Sequence, residues 1–119
     1  MRSGRLYRSV ALDAASDDDL RALSDLGVGT VFDLRTGMEQ ARRPDRLPHG
    51  ARHVSLDLLV DSGEADPATV FALMEDPPRA SAELGDGGTY RFYMATYRDM
   101  VRLGSARDGY GRLYRALAD

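Results

Sequence analysis

The 119-residue chain contains no cysteine. That excludes disulfides, thiolate metal sites and a cysteine nucleophile within these residues. Lysine is absent as well, so all 16 basic side chains are arginines. Against 19 acids they leave a net charge of −3, with both signs interleaved along the chain. There is no basic surplus of the kind that makes nucleic acid a default partner. The aspartates at 17–19 and those between 61 and 66 are too few to form an acidic tail. No apolar run approaches the roughly 18 residues of a membrane span. Residues 1–13 lack the continuous apolar segment of a signal peptide. A cytoplasmic protein is the resulting expectation. Glycine-rich phosphate loops and a G-x-S-x-G elbow are also missing. His49 and His53 have no His, Cys or carboxylate at metal-ligand spacing, so neither a metal nor another cofactor is expected.

What is present is ordinary for one globular domain: 43% hydrophobic and 29% charged residues. Residues 6–12 read as a short strand or an extended lead-in. Ser16 then reads as an N-cap with Asp17, Asp18 and Asp19 in the first turn, where acids complement the helix dipole. Leu20, Leu23 and Leu26 form one stripe, and Gly27 is the C′ residue. Residues 28–34 are rich in β-branched and aromatic side chains and read as a strand buried on both faces. Thr36 and Glu39 have capping-box spacing, which predicts a helix over 37–43 stopped by Pro44.

Pro48-His49-Gly50 is a turn, and residues 51–58 form a second strand candidate with Val54, Leu56 and Leu58 on one face. Residues 61–66 are a polar loop. Asp66-Pro67 opens a short helix with Val70, Phe71 and Met74 on its apolar side. Pro77-Pro78 is expected to end it, and residues 81–88 to be a mobile loop. From Thr89 a long amphipathic helix is predicted by Tyr90, Tyr93, Met94, Tyr97, Met100 and Val101 at three- and four-residue steps. A final helix, starting near Asp108, carries Tyr110, Leu113, Tyr114 and Leu117. The helical period of these tyrosines assigns them to the core rather than to a stacking platform.

The element order predicts an α/β layer protein. Two or three strands flanked by about five helices are too few for a complete sheet. The last helices also carry more apolar surface than such a sheet can cover.

Ligands of open α/β sheets bind beyond the carboxyl ends of the strands. Asp33 and Arg35 stand at that place. Two roles are open to Asp33: general acid or electrostatic orienter, and turn residue accepting backbone N–H groups. Arg35 either offers its planar fork to an anion or pairs with Asp33 or Glu39. Arg2, Arg5 and Arg8 either cluster near the same strand ends as an anion site or are scattered and solvated. Glu39 fits a cap, and Arg42 and Arg43 suit the negative pole of a helix.

Taken together, Gly4-Arg5-Leu6-Tyr7-Arg8-Ser9, the stretch from Leu26 to Asp33-Leu34-Arg35, then Glu39 and Pro44, resemble the bacterial tyrosine-protein phosphatases. Tyr97-Arg98 and the helix through Leu113, Tyr114 and Leu117 resemble the segment before that family's catalytic loop. The resemblance implies an α/β phosphatase fold. It implies attack on phosphorus by a cysteine thiolate, with an arginine and backbone N–H groups holding the oxygens and an acid protonating the leaving oxygen. By position, Asp33 resembles the family's aspartate, as catalytic acid or site organiser. Arg8 and Arg35 resemble its phosphate-binding or supporting arginines.

The His-Cys-x-x-Gly-x-x-Arg loop, expected just after residue 119, is absent, as is the Asn-x-Arg-Asp-x-Gly-Gly segment expected before Met1. Residues 1–119 are therefore expected to be a single incomplete domain, the N-terminal half, without the central catalytic strand. Two functions follow as alternatives. One is part of a phosphomonoester phosphatase, inactive alone and acting on a phosphotyrosine-like substrate once completed. The other is a non-catalytic module that binds an anion or a partner, with self-association through exposed helix faces.

Overall fold

A computed structural model of the chain describes residues 4–63, 73 and 75–118. Local chain chemistry accounts for the first elements. Helix α1 (Asp17–Asp25) starts at Ser16. The Asp19 backbone N–H donates to the Ser16 Oγ at 3.1 Å, and the Ser16 N–H donates to an Asp19 carboxylate oxygen at 2.9 Å. This reciprocal pair satisfies two donors that a helix start leaves open. The helix ends in a Schellman arrangement: Gly27, at φ +75°, donates to the Ser24 carbonyl and Val28 to the Leu23 carbonyl. Strand β1 (Thr30–Asp33) follows, then α2 (Gly37–Arg42) with its own Thr36/Glu39 capping box, then strand β2 (Arg52–Ser55).

The two strands are parallel, with Thr30 opposite Arg52 and Asp33 opposite Ser55. Their crossover through α2 is tied down by Asp57, whose carboxylate accepts from the first helical N–H, Gly37, at 2.7 Å. The ladder is shorter than the two strands expected over 28–34 and 51–58. β1 is also not buried on both faces. Val31 and Phe32 are half-buried and Asp33 alone is buried, because β1 has one strand beside it among the described residues. Residues 6–12 form no strand there and run as an irregular, largely exposed lead-in.

Residues 73 and 75 are helical, and three helices are described after them: α3 (Pro77–Leu84), α4 (Gly88–Arg102) and α5 (Gly104–Ala118). Here the chain departs from several expectations. Pro77-Pro78 follows the helical residues 73 and 75, as expected, and also opens the next helix. Asp76 caps it by accepting from the Arg79 N–H at 3.1 Å, and proline at the first turn forfeits no helical hydrogen bond. Residues 81–88 are accordingly the end of α3 and a tight turn into α4, not a mobile loop. α5 begins at Gly104, a single residue after α4, rather than near Asp108. Val70, Phe71 and Met74 lie outside the described residues.

The core sits where α5 crosses the ends of the strands. Leu56, Leu58 and Ala106 are buried, with Phe32, Val54, Leu103, Tyr110 and Leu113 packed around them. A Cβ on Gly109 would lie 2.6 Å from a Leu58 methyl, so glycine there sets how closely α5 approaches. Polar ties fix the corner: the Ser105 hydroxyl donates to the Leu58 carbonyl at 2.9 Å, and the Ser62 hydroxyl donates to Asp99 at 2.6 Å.

The tyrosine stripe of α4 is not core. Tyr90, Tyr93, Met94, Tyr97 and Val101 face outward, and Tyr97 is 63% exposed. The inward side is the neighbouring stripe of Phe92, Ala95, Thr96, Asp99 and Met100. In α5, Tyr110, Leu113 and Leu117 are half-buried as expected, and Tyr114 is exposed. No described helix is long and apolar enough to cross a membrane.

This division of the helix faces predicts a contrast in stability. Leu58→Ala, at a 3% exposed position, is expected to cost about 2–4 kcal/mol in a thermal or urea melt. Tyr97→Ala is expected to change it by less than about 0.5 kcal/mol. Equal losses would show that the tyrosine face is covered in solution.

Candidate active site

The carboxyl end of β1 places Asp33 beneath the start of α2, with 5% of its surface exposed. Both carboxylate oxygens are engaged by Arg35. The Oδ1 accepts from the Arg35 backbone N–H at 3.1 Å and from its Nε at 2.9 Å. The Oδ2 accepts from Arg35 Nη2 at 2.6 Å. This fork-to-fork geometry is the strongest pairing arginine makes with a carboxylate. The same Nη2 reaches Asp45 Oδ1 at 2.9 Å, and Nη1 donates to the Arg43 carbonyl at 3.0 Å. Arg35 therefore bridges two aspartates and the end of α2.

Asp45 in turn accepts from the Leu12 N–H at 2.8 Å, and the Arg46 N–H donates to the Leu12 carbonyl at 3.3 Å. Asp13 pairs with Arg43 at 3.4 Å, and Arg46 pairs with Asp17 and with the Ala15 carbonyl. The N-terminal lead-in is thus fastened to the Asp33 site through residues 43–46.

The electrostatics follow from the contacts. Burial alone would push the Asp33 carboxyl up. The hydrogen bonds and charge of Arg35, with a smaller contribution from His53, outweigh it and hold the group below its ordinary value. Asp33 holds the Arg35 guanidinium above its ordinary value in return. Asp33 is consequently ionised at neutral pH.

Of the sequence candidates, the fold joins Asp33 to Arg35 and leaves Arg8 apart. Arg8 is exposed in the lead-in and, among the described residues, forms no hydrogen bond or ion pair with either. Arg5 is exposed as well, and Arg2 lies outside the described residues. Glu39 caps α2 and takes no part, so of the pairings open to Arg35 the fold uses Asp33 and adds Asp45.

Two members of the site were missed. Asp45 carries no local signal, since it follows a proline ten residues beyond Arg35. His53 was legible in principle: in the parallel register it lies opposite Val31, on the face that Asp33 shares. Its Nε2 is 3.5 Å from Asp33 Oδ2. His53 therefore does have carboxylates nearby, contrary to the sequence reading. Ligand atoms of Asp33, Asp45 and His53 lie within 4.8 Å of one another, a spacing that a metal ion could use. The positive charge between the two aspartates is supplied by Arg35, which satisfies both carboxylates without an ion.

Comparison with known proteins bears on this site. A model of the tyrosine phosphatase family matches residues 1–119. The triple specificity protein phosphatase PtpB of Mycobacterium tuberculosis (strain ATCC 25618 / H37Rv) is 45% identical over 51 residues, 42% of this chain. That stretch spans 18% of PtpB. No solved structure matches. The family match takes in the β1–α2 segment with Asp33 and Arg35 and extends over every residue of the chain, which belongs to the tyrosine phosphatase family.

Proposed function

We propose that this chain supplies the supporting side of a phosphomonoester phosphatase site, with phosphotyrosine or a similar phosphoester as substrate. The thiolate nucleophile comes from sequence outside these residues. The observation that carries the reading is the buried, ionised Asp33 clamped by Arg35 at a strand's carboxyl end, in a phosphatase-family chain without cysteine. A phosphoenzyme requires a nucleophile, and the side chains around Asp33 provide no activated one.

Within this reading Asp33 organises rather than donates. A general acid must hold its proton at working pH, and Arg35 keeps Asp33 ionised. The Arg35 fork is already committed to Asp33, Asp45 and the Arg43 carbonyl. Arg8 is the arginine of the pair whose guanidinium stays open to a phosphate. A second reading, a non-catalytic module that associates through its helices, is favoured by one observation: the exposed row of Tyr90, Tyr93, Met94 and Tyr97.

The chain alone is expected not to turn over an aryl phosphate. Mixing it with a polypeptide carrying the His-Cys-x-x-Gly-x-x-Arg loop is expected to restore hydrolysis. Robust turnover by the chain alone would sink the proposal. A monodisperse dimer in light scattering, with no activity in the mixture, would favour the second reading.

The clamp itself makes two predictions. Arg35→Ala leaves two carboxylates uncompensated and is expected to lower stability by about 3 kcal/mol in a urea melt. The pH dependence follows from the lowered Asp33 value. The unfolded group titrates near 3.8 and the folded one below it. Its contribution is therefore complete above pH 3.8 and is lost as pH falls through the folded value. Asp33→Asn is expected to be less stable at neutral pH and to lose less than the parent on further acidification. Parallel acid profiles for the two proteins would show that Asp33 is not the titrating group.

A further inference from the structure

A second feature lies on the α5 side of the sheet. The first half of α5 is held tightly against the strands, with Ala106 fully buried and Gly109 against Leu58. Beyond Leu113 that closeness ends, and a groove of about 530 Å³ opens between β2 and the last turns of α5. Phe32, Val54 and Ala116 supply its apolar part. Arg52, Arg112 and Arg115 supply its charge, and His53 and Ser55 complete the lining. Arg52 stands at the amino end of β2, opposite Thr30, whereas Asp33 stands at the carboxyl end of β1.

The charge in the groove is uncompensated. The chain as a whole is acidic, at −3. Arg21, Arg35, Arg42, Arg43, Arg46 and Arg79 are each matched to a carboxylate. None of the three groove arginines forms an ion pair among the described residues, and no Asp or Glu lines the groove. Three arginines lining one groove without a counter-charge favour an anion. A groove of this size, part apolar and part cationic, suits a small organic molecule rather than a bare ion.

We propose that this groove binds a small amphiphilic anion, an apolar aryl or alkyl body bearing a phosphate, sulfonate or carboxylate. The body lies on Phe32, Val54 and Ala116, and the head group is held by Arg112 and Arg115 from α5 and by Arg52 from β2. The groove adjoins the Asp33 site through His53, whose Nε2 lies 3.5 Å from Asp33 Oδ2, but the anion site does not depend on the phosphatase reading.

The test is titration of the whole chain with naphthalenesulfonate and with octyl sulfate, followed by amide chemical shifts. Naphthol and inorganic sulfate serve as the uncharged and the body-less controls. Saturable shifts are expected at Phe32, Val54 and Ala116, and the stronger of the two ligands identifies whether an aryl or an alkyl body is preferred. The double variant Arg112→Gln/Arg115→Gln is expected to weaken binding at least tenfold, and Arg52→Gln several-fold. These positions are exposed, so melting curves should match the parent. Equal binding of naphthol, equal binding of sulfate, unaltered affinity in the arginine variants, or shifts confined to Tyr93 and Tyr97 would each overturn the proposal.

Discussion

The ion triad of Asp33, Arg35 and Asp45 is the contact on which the arrangement of the first 60 residues depends. Asp33 closes β1, Arg35 leads into α2, and Asp45 lies in the return to β2. Asp45 also holds the lead-in through Leu12. The strand end and the return segment thus meet on one guanidinium, and the lead-in joins them through Asp45. The energetic value of such a cluster is not simply additive. Desolvating the charges costs several kcal/mol, and the fork geometry that engages both Asp33 oxygens is what offsets it. Its larger contribution is to uniqueness. The crossover, the strand end and the lead-in can satisfy these charges together in one relative placement, and no buried side-chain polar atom is left without a partner among the described residues.

What was legible in the sequence is what short-range chemistry decides. Ser16/Asp19 and Thr36/Glu39 each specify a helix start within four residues, and both form. Gly27 ends α1 for the same local reason, because a left-handed residue is needed there. The errors arise where one residue type serves opposite roles. Proline breaks a helix from within and favours its first turn, and Pro77-Pro78 serves both roles, following the helical residues 73 and 75 and opening α3 behind the Asp76 cap. The break at Leu103 is equally hard to read, since two amphipathic patterns run into each other across it.

The tyrosines show a different limit. Period specifies that a helix has an apolar face, but not which of two faces meets the sheet. α4 carries the outer row from Tyr90 to Val101 and the inner row from Phe92 to Met100. The less conspicuous inner row packs inward. With two strands, the described sheet is narrower than its helices, and both of its outer edges lack a strand partner there. The radius of gyration of 16.7 Å, against about 13.5 Å expected for a compact chain of this length, has the same origin.

The site inverts the weight that position gave its residues. Asp33 and Arg35 stand where ligands of α/β sheets bind, and that placement invites a chemical role for both. Yet a guanidinium whose donors are distributed over two carboxylates and a carbonyl has no free edge for a phosphate. A carboxylate held ionised by that guanidinium has no proton to give. The two residues are better suited to build the rim of a site than to act in it. Arginines without a carboxylate partner among the described residues include Arg8 in the lead-in and Arg52, Arg112 and Arg115 along β2 and α5.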